Sequence, residues 1–162
     1  MERRDFIATG AVAALTPWKQ VFGPRVAGVS GAILRPFALA DVRLKPGPFL
    51  DAAMVNRRFV LGQDPDRLLH TFRLTAGLPT SAQPIGGWEA PNNELRGHFT
   101  GHYLSACALL SASQTDPDAK ARGDQMVAAL ADCQKALGNG YLSAFPDEFF
   151  ERLRADRGVW AP

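Results

Sequence analysis

The chain has 162 residues and a mass of 17.5 kDa, with 46% hydrophobic, 21% charged and 9% aromatic residues, which is the balance of one globular domain and excludes a disordered chain or a multidomain assembly. Its net charge of +2 arises in the first 31 residues, which hold four basic and two acidic side chains, whereas 32–162 carry fourteen of each. A neutral body gives no electrostatic reason to expect nucleic acid or an anionic membrane as partner, and no apolar run reaches the ~18 residues of a membrane span.

The opening Arg3-Arg4-Asp5-Phe6-Ile7 sets two arginines just ahead of an apolar stretch, 6–15, interrupted only by Thr9 and Gly10, after which Pro17 leads into a Gly/Pro-rich linker. A basic head followed by a mildly apolar segment too short to cross a bilayer resembles a bacterial Tat export signal. This predicts an export signal and linker over 1–31, a folded body over 32–162, and a periplasmic or secreted destination. The competing reading is a short amphipathic helix that begins the fold.

In the body, the imperfect alternation of Phe37, Leu39, Val42 and Leu44 fits a short strand or an extended lead-in. Pro48 then precedes a helix over 49–61, with Leu50, Ala53, Met54 and Leu61 at helical spacing and Gly62 as its stop. Asp64-Pro65-Asp66 is an N-cap with proline at the first helical position, and Leu68, Leu69, Phe72 and Ala76 carry the helix to Gly77. After an irregular stretch, 80–93, a third helix spans 95–113, with Phe99, Tyr103, Cys107 and Leu110 on one stripe and Gly97, Gly101 and Ser105 on a small-residue stripe open to a close neighbour. Asp116-Pro117-Asp118 repeats the cap 52 residues after the first, and Met126, Leu130, Cys133 and Leu137 follow at helical spacing up to Gly138. A last helix, 147–156, presents Phe149, Phe150 and Leu153. The pattern is all-α, an array of αα-hairpins, and the apolar residues of the last helix call for something packed beyond them.

Chemistry concentrates between Gly86-Gly87-Trp88-Glu89, Asn92-Asn93-Glu94 and Gly97-His98-Phe99-Thr100-Gly101-His102-Tyr103. His98 and His102, at i and i+4, leave one helix face. Three readings stand open for them: a metal pair lacking both a third ligand and the HExxH glutamate, two structurally bonded imidazoles, or hydrogen-bond donors in a polar ligand pocket with Trp88 and Glu89. Trp88 is either core filler or a platform for the C–H face of a sugar, with Glu89, Asn92 and Asn93 serving its hydroxyls. Glu89 and Glu94 are a conceivable glycosidase pair, which requires carboxylates ~5–9 Å apart, although Glu94 is explained more simply as a helix N-terminal acid. Tyr141, after the glycine turn Gly138-Asn139-Gly140, either points into the same mouth or packs. Cys107 and Cys133 lie on apolar stripes as small core residues, with a disulfide after export as the alternative; neither has the basic neighbour or metal that a nucleophilic thiolate needs.

These motifs occur in a telling order: Phe49-Leu50, Asn56, Asp66-Arg67-Leu68-Leu69, Phe72-Arg73, Ala76-Gly77-Leu78-Pro79, Gly87-Trp88-Glu89, Gly97-His98, Gly101-His102-Tyr103-Leu104-Ser105-Ala106, Cys133-Gln134, and Gly138-Asn139-Gly140-Tyr141-Leu142-Ser143-Ala144. The order resembles the N-terminal part of the β-L-arabinofuranosidase-like glycoside hydrolases, family 127 and its relatives, over about residues 37–162. The resemblance implies an all-α (α/α)6 barrel, of which these hairpins form the first part, so that the chain reads as truncated. It implies retaining hydrolysis of β-linked L-arabinofuranosyl or similar plant-glycan residues by a zinc-bound cysteine thiolate with a glutamate acid/base. The positions of those groups in the family fall beyond Pro162, so no catalytic residue, metal ligand or cofactor is assigned within this chain. The residues carried over are Trp88, Glu89, His98, His102 and Tyr141, as substrate-binding residues at the barrel mouth.

Two function classes follow. One is the front segment of an exported hydrolase whose carbohydrate partner is an arabinose-containing glycan and whose missing C-terminal half completes the site. The other is a free-standing helical module that binds carbohydrate or a partner without catalysis, against which exposed apolar patches would count.

Overall fold

The computed structural model describes residues 35–155. The chain divides into two units, Met1–Pro36 and Phe37–Pro162. The twin-arginine segment and the export signal predicted over 1–31 lie outside the described residues.

Among the described residues the second unit is helical, without strands. Its elements are α1 (Pro48–Leu61), α2 (Pro65–Leu68), α3 (His70–Thr75), α4 (His98–Gln114), α5 (Pro117–Leu137) and α6 (Glu148–Arg154). Two 3-10 turns, Leu39–Asp41 and Gly87–Glu89, punctuate the connecting segments. The first lies where a short strand or an extended lead-in is predicted, and the extended lead-in is what forms. Its flanks are extended, Phe37, Leu39, Val42 and Leu44 are exposed, and Arg43 Nη1 donates to the Ser113 carbonyl oxygen at 2.9 Å, which ties the segment to the end of α4.

Proline and aspartate set the helix starts as the sequence predicts. Asp64 accepts the Asp66 amide at 2.9 Å, and Asp116 accepts those of Asp118 and Ala119 at 3.0 and 3.2 Å, each with proline at N1. These carboxylates satisfy amides that have no intrahelical acceptor. Only Thr115, with φ of 55°, and Asp116 separate α4 from α5, and the two helices form the closest-packed pair in the unit. Gly138, at φ 70°, ends α5.

The core lies where α1, α2 and α3 meet this hairpin. Val60, Leu68, Leu69, Tyr103, Cys107, Leu110, Ala119, Met126 and Leu130 are buried together. Truncating Leu69 or Met126, both almost inaccessible, costs roughly 2–5 kcal/mol through lost burial and a residual cavity. Across the top of α1, Arg57 joins its guanidinium to Asp116, and its Nη2 lies 2.6 Å from Asp118 Oδ2, so that the α5 cap also anchors α1.

Two expectations are corrected. The single helix predicted from the Asp64 cap breaks at Leu69 into α2 and α3, and the Thr100 hydroxyl takes the Leu68 carbonyl oxygen at 3.0 Å at the break, an inserted side chain being a recognised cause of such interruptions. Phe99 is not on the core stripe of α4. Thr100, 2% exposed, holds that place with Tyr103, Cys107 and Leu110, and Phe99 turns outward. On the small-residue stripe, Gly97 closely meets Ala144, while Gly101 and Ser105 are exposed and a Cβ built on Gly101 would meet nothing within 4 Å among the described residues.

Burial is uneven. Phe37, Phe49 and Phe59 are 82%, 79% and 66% exposed, so α1 turns aromatic side chains outward as well as Val60 inward. No described helix is long and apolar enough to cross a membrane.

Candidate functional site

The 3-10 turn Gly87–Glu89 places two adjacent side chains in opposite environments. Trp88 is 55% exposed, outside the core of the described residues, whereas Glu89 is buried. The chain then runs through an Asx turn, in which Asn93 Oδ1 accepts the Leu95 amide at 2.7 Å, to Gly97, whose left-handed backbone at φ 87° starts α4.

At this helix start His98 and His102 stand one turn apart. Their Nε2 atoms are 3.0 Å from each other and their ring planes are inclined at 78°. At that separation one imidazole donates and the other accepts, which fixes opposite roles for the two Nε2 atoms. Trp88 lies edge-on to His98, with ring centroids 6.1 Å apart, and beside Phe99 at 6.5 Å; His98 and Phe99 are 6.2 Å apart. The result is an exposed group of two aromatic and two imidazole rings, with apolar faces next to nitrogen atoms able to donate and accept.

Of the predicted site residues, then, Trp88, His98 and His102 come together. Glu89 adjoins them but turns inward, and its oxygens accept the Gly97 and Phe99 amides at 2.7 Å each. With a main-chain amide on each oxygen and the residue 3% exposed, the Glu89 carboxylate faces the start of α4 and not the exposed ring group. Tyr141 is held in the segment after α5, its hydroxyl donating to the Phe145 carbonyl oxygen at 2.8 Å and its ring meeting Phe150 edge-on, and it is coupled electrostatically to Arg96.

An open cleft of about 290 Å³ borders the ring group, with Phe72, Glu94, Arg96, His98, Ser143 and Phe145 among its lining residues. Arg96 is the participant that sequence reading missed. Its Nε donates to the Ala144 carbonyl oxygen at 3.0 Å and its Nη1 to that of Asn93 at 3.1 Å, while the guanidinium lies 4.9 Å from the Phe145 ring centroid and 5.6 Å from that of Phe149. Desolvation lowers the pKa of this guanidinium, and the aromatic faces offset part of the loss of water. The one sequence sign of this role was an arginine set immediately before a glycine at a helix start.

Cys107 and Cys133 are free thiols, each 1% exposed, and burial raises the pKa of both. They are core residues, as one of the two sequence readings has it, and they are not bonded to each other. A buried thiol that holds its proton this firmly is not a ready metal ligand or nucleophile. Among the described residues no three or more His, Cys, Asp or Glu side chains stand together as a metal site. The zinc that the resemblance implies is accordingly assigned to none of the described residues.

No curated protein matches the chain. The family described as Beta-L-arabinofuranosidase, GH127 catalytic domain, matches residues 41–162, which include every described helix and the whole ring group. The all-helical unit is consistent with part of an α/α barrel of that family. On this match the chain belongs to the GH127 β-L-arabinofuranosidase family of glycoside hydrolases.

Proposed function

We propose that the Trp88, His98 and His102 face is the substrate-side wall of a retaining glycoside hydrolase acting on β-linked L-arabinofuranosyl or related plant-glycan residues. The observation that carries this reading is the exposed indole held edge-on to an imidazole pair whose Nε2 atoms are 3.0 Å apart. The C–H face of a sugar ring stacks on an indole, and with the two Nε2 atoms engaged with each other the two Nδ1 atoms are left as one acceptor and one donor for hydroxyls. Their work is binding and orientation; no bond-breaking step is assigned to them. In the family the resemblance implies, a zinc-held thiolate supplies the nucleophile, and neither Cys107 nor Cys133 is given that part.

Export by the Tat route to a periplasmic or secreted location belongs to the same proposal, motivated by Arg3-Arg4 and the apolar stretch that follows. The alternative of a free-standing, non-catalytic module is weighed down by the exposed Phe37, Phe49 and Phe59, since soluble monomers rarely leave large apolar patches uncovered.

The test is a titration of the full chain with an oligosaccharide ending in β-linked L-arabinofuranose, followed by NMR. The Trp88 indole N–H and the His98 and His102 ring protons should shift, and Trp88→Ala should weaken binding by on the order of tenfold, the equivalent of ~1.4 kcal/mol of stacking. A titration that leaves these signals unmoved sinks the reading.

A further inference from the structure

Gly97 begins α4 under tight constraints. Its φ of 87° is left-handed, and a Cβ there would stand 2.5 Å from Ala144 Cβ and 3.2 Å from two ring atoms of Phe72. Only glycine fits, so the residue at the N-cap position has no side chain with which to accept the first amides of the helix. The acceptor comes instead from Glu89, eight residues earlier. One of its carboxylate oxygens takes the Gly97 amide and the other takes that of Phe99, both at 2.7 Å, within a site where Glu89 is only 3% exposed. Negative charge at this end of a 17-residue helix is also favoured by the helix dipole.

The two amides belong to the residues on either side of His98. The Phe99 amide lies in the peptide plane that follows His98, the His98 amide in the plane before it donates to the Leu95 carbonyl oxygen at 3.2 Å, and the Gly97 amide is held one peptide earlier, so the direction in which the His98 side chain leaves the backbone is set; His102 follows one turn later on the same rigid helix. Trp88 is the chain neighbour of Glu89, so the same carboxylate anchors the backbone from which the indole projects. We infer that Glu89 is a positioning residue: its buried carboxylate clasps the Gly97 and Phe99 amides and thereby sets the Trp88 indole against the His98–His102 pair. It acts through those rings and does not itself touch the sugar. The clasp depends on the preceding section only for the identity of the ligand.

Glu89→Gln has nearly the same volume but one carbonyl oxygen in place of two, and its amide NH2 would face a backbone N–H. In the unaltered full chain, NMR should show the Gly97 and Phe99 amide protons displaced downfield by short, charge-assisted bonds, together with a ring-to-ring nuclear Overhauser effect between Trp88 and His98. In Glu89→Gln the downfield displacement and the ring-to-ring signal should both vanish, while the amide signals of 103–114 stay in place. Binding of the arabinofuranosyl oligosaccharide should weaken on the order of tenfold.

A ring-to-ring signal that survives in Glu89→Gln overturns the inference, because the carboxylate would then cap α4 without positioning the rings. Absence of both signals from the unaltered chain overturns it as well, and that measurement decides the matter if the variant does not fold. Should both signals be present while the oligosaccharide fails to bind, the functional reading falls and the positioning role of Glu89 stands.

Discussion

At the start of α5, Asp116 accepts the amides of Asp118 and Ala119 from within the same turn, next to Pro117. At the start of α4 the carboxylate arrives from Glu89, across a loop, because the residue at the cap position must be glycine. Both helices therefore gain a carboxylate at the positive end of the dipole, with different consequences. The local cap stabilises α5 and, through Arg57, holds α1. The borrowed cap stabilises α4 and in addition ties the Trp88 turn to the histidine pair. A helix capped from a distance thus acquires a defined neighbour, and here that neighbour carries the exposed indole.

The sharpest way to break this contrast is at Gly97. Gly97→Ala inserts a Cβ into Ala144 and Phe72 at a left-handed position, and chemical unfolding should show a loss of about 3 kcal/mol, combining overpacking with backbone strain. A loss below about 1 kcal/mol would mean that the start of α4 can relax, and the need for a remote cap would lapse.

Asp116→Ala comes next. It removes a local cap and leaves Arg57 with Asp118 as its remaining carboxylate partner, for a loss of about 2 kcal/mol. The hydrogen bond from Arg57 is the main cause that lowers the Asp116 pKa below 3.8, against an opposing contribution from desolvation. A carboxyl whose folded value lies below its unfolded one adds stability above the unfolded value and loses it as pH falls through the folded value. Below pH 3.8, then, the unaltered chain should lose stability more steeply than Asp116→Ala; parallel curves would show that Asp116 carries no such linkage.

The smallest effect is expected at Asp64. This cap is exposed and accepts one amide, that of Asp66, so Asp64→Ala should cost about 1 kcal/mol in thermal or chemical unfolding, with little dependence on Arg57. If it costs as much as Asp116→Ala, the ion pair adds nothing to the α5 cap.

The same contrast explains what could be read in the sequence. Asp64-Pro65 and Asp116-Pro117 announce their helices because cap and capped amide lie within three residues. The cap by Glu89 is invisible in that way: its partners are the main-chain amides of Gly97 and Phe99, which any residue except proline would supply. The exchange of Phe99 for Thr100 in the core follows from the same limit. Hydropathy favours phenylalanine inside, but the Thr100 hydroxyl has a carbonyl partner at Leu68, and Phe99 has Trp88 and His98 outside. The bond from the Tyr141 hydroxyl to the Phe145 carbonyl oxygen follows a glycine turn that is visible in the sequence, but the bond itself is legible only in three dimensions. The hairpin array itself, by contrast, was legible, since it rests on local spacing and punctuation.

Cys107 and Cys133, one on each arm of the α4–α5 hairpin and each 1% exposed, equip the fold with two intrinsic timers. An alkylating reagent can reach either sulfur only when the hairpin core opens, so the rate at which each thiol is labelled counts openings of its own helix. Mass spectrometry of the two labelled peptides would distinguish a hairpin that opens as a unit from one whose arms part separately.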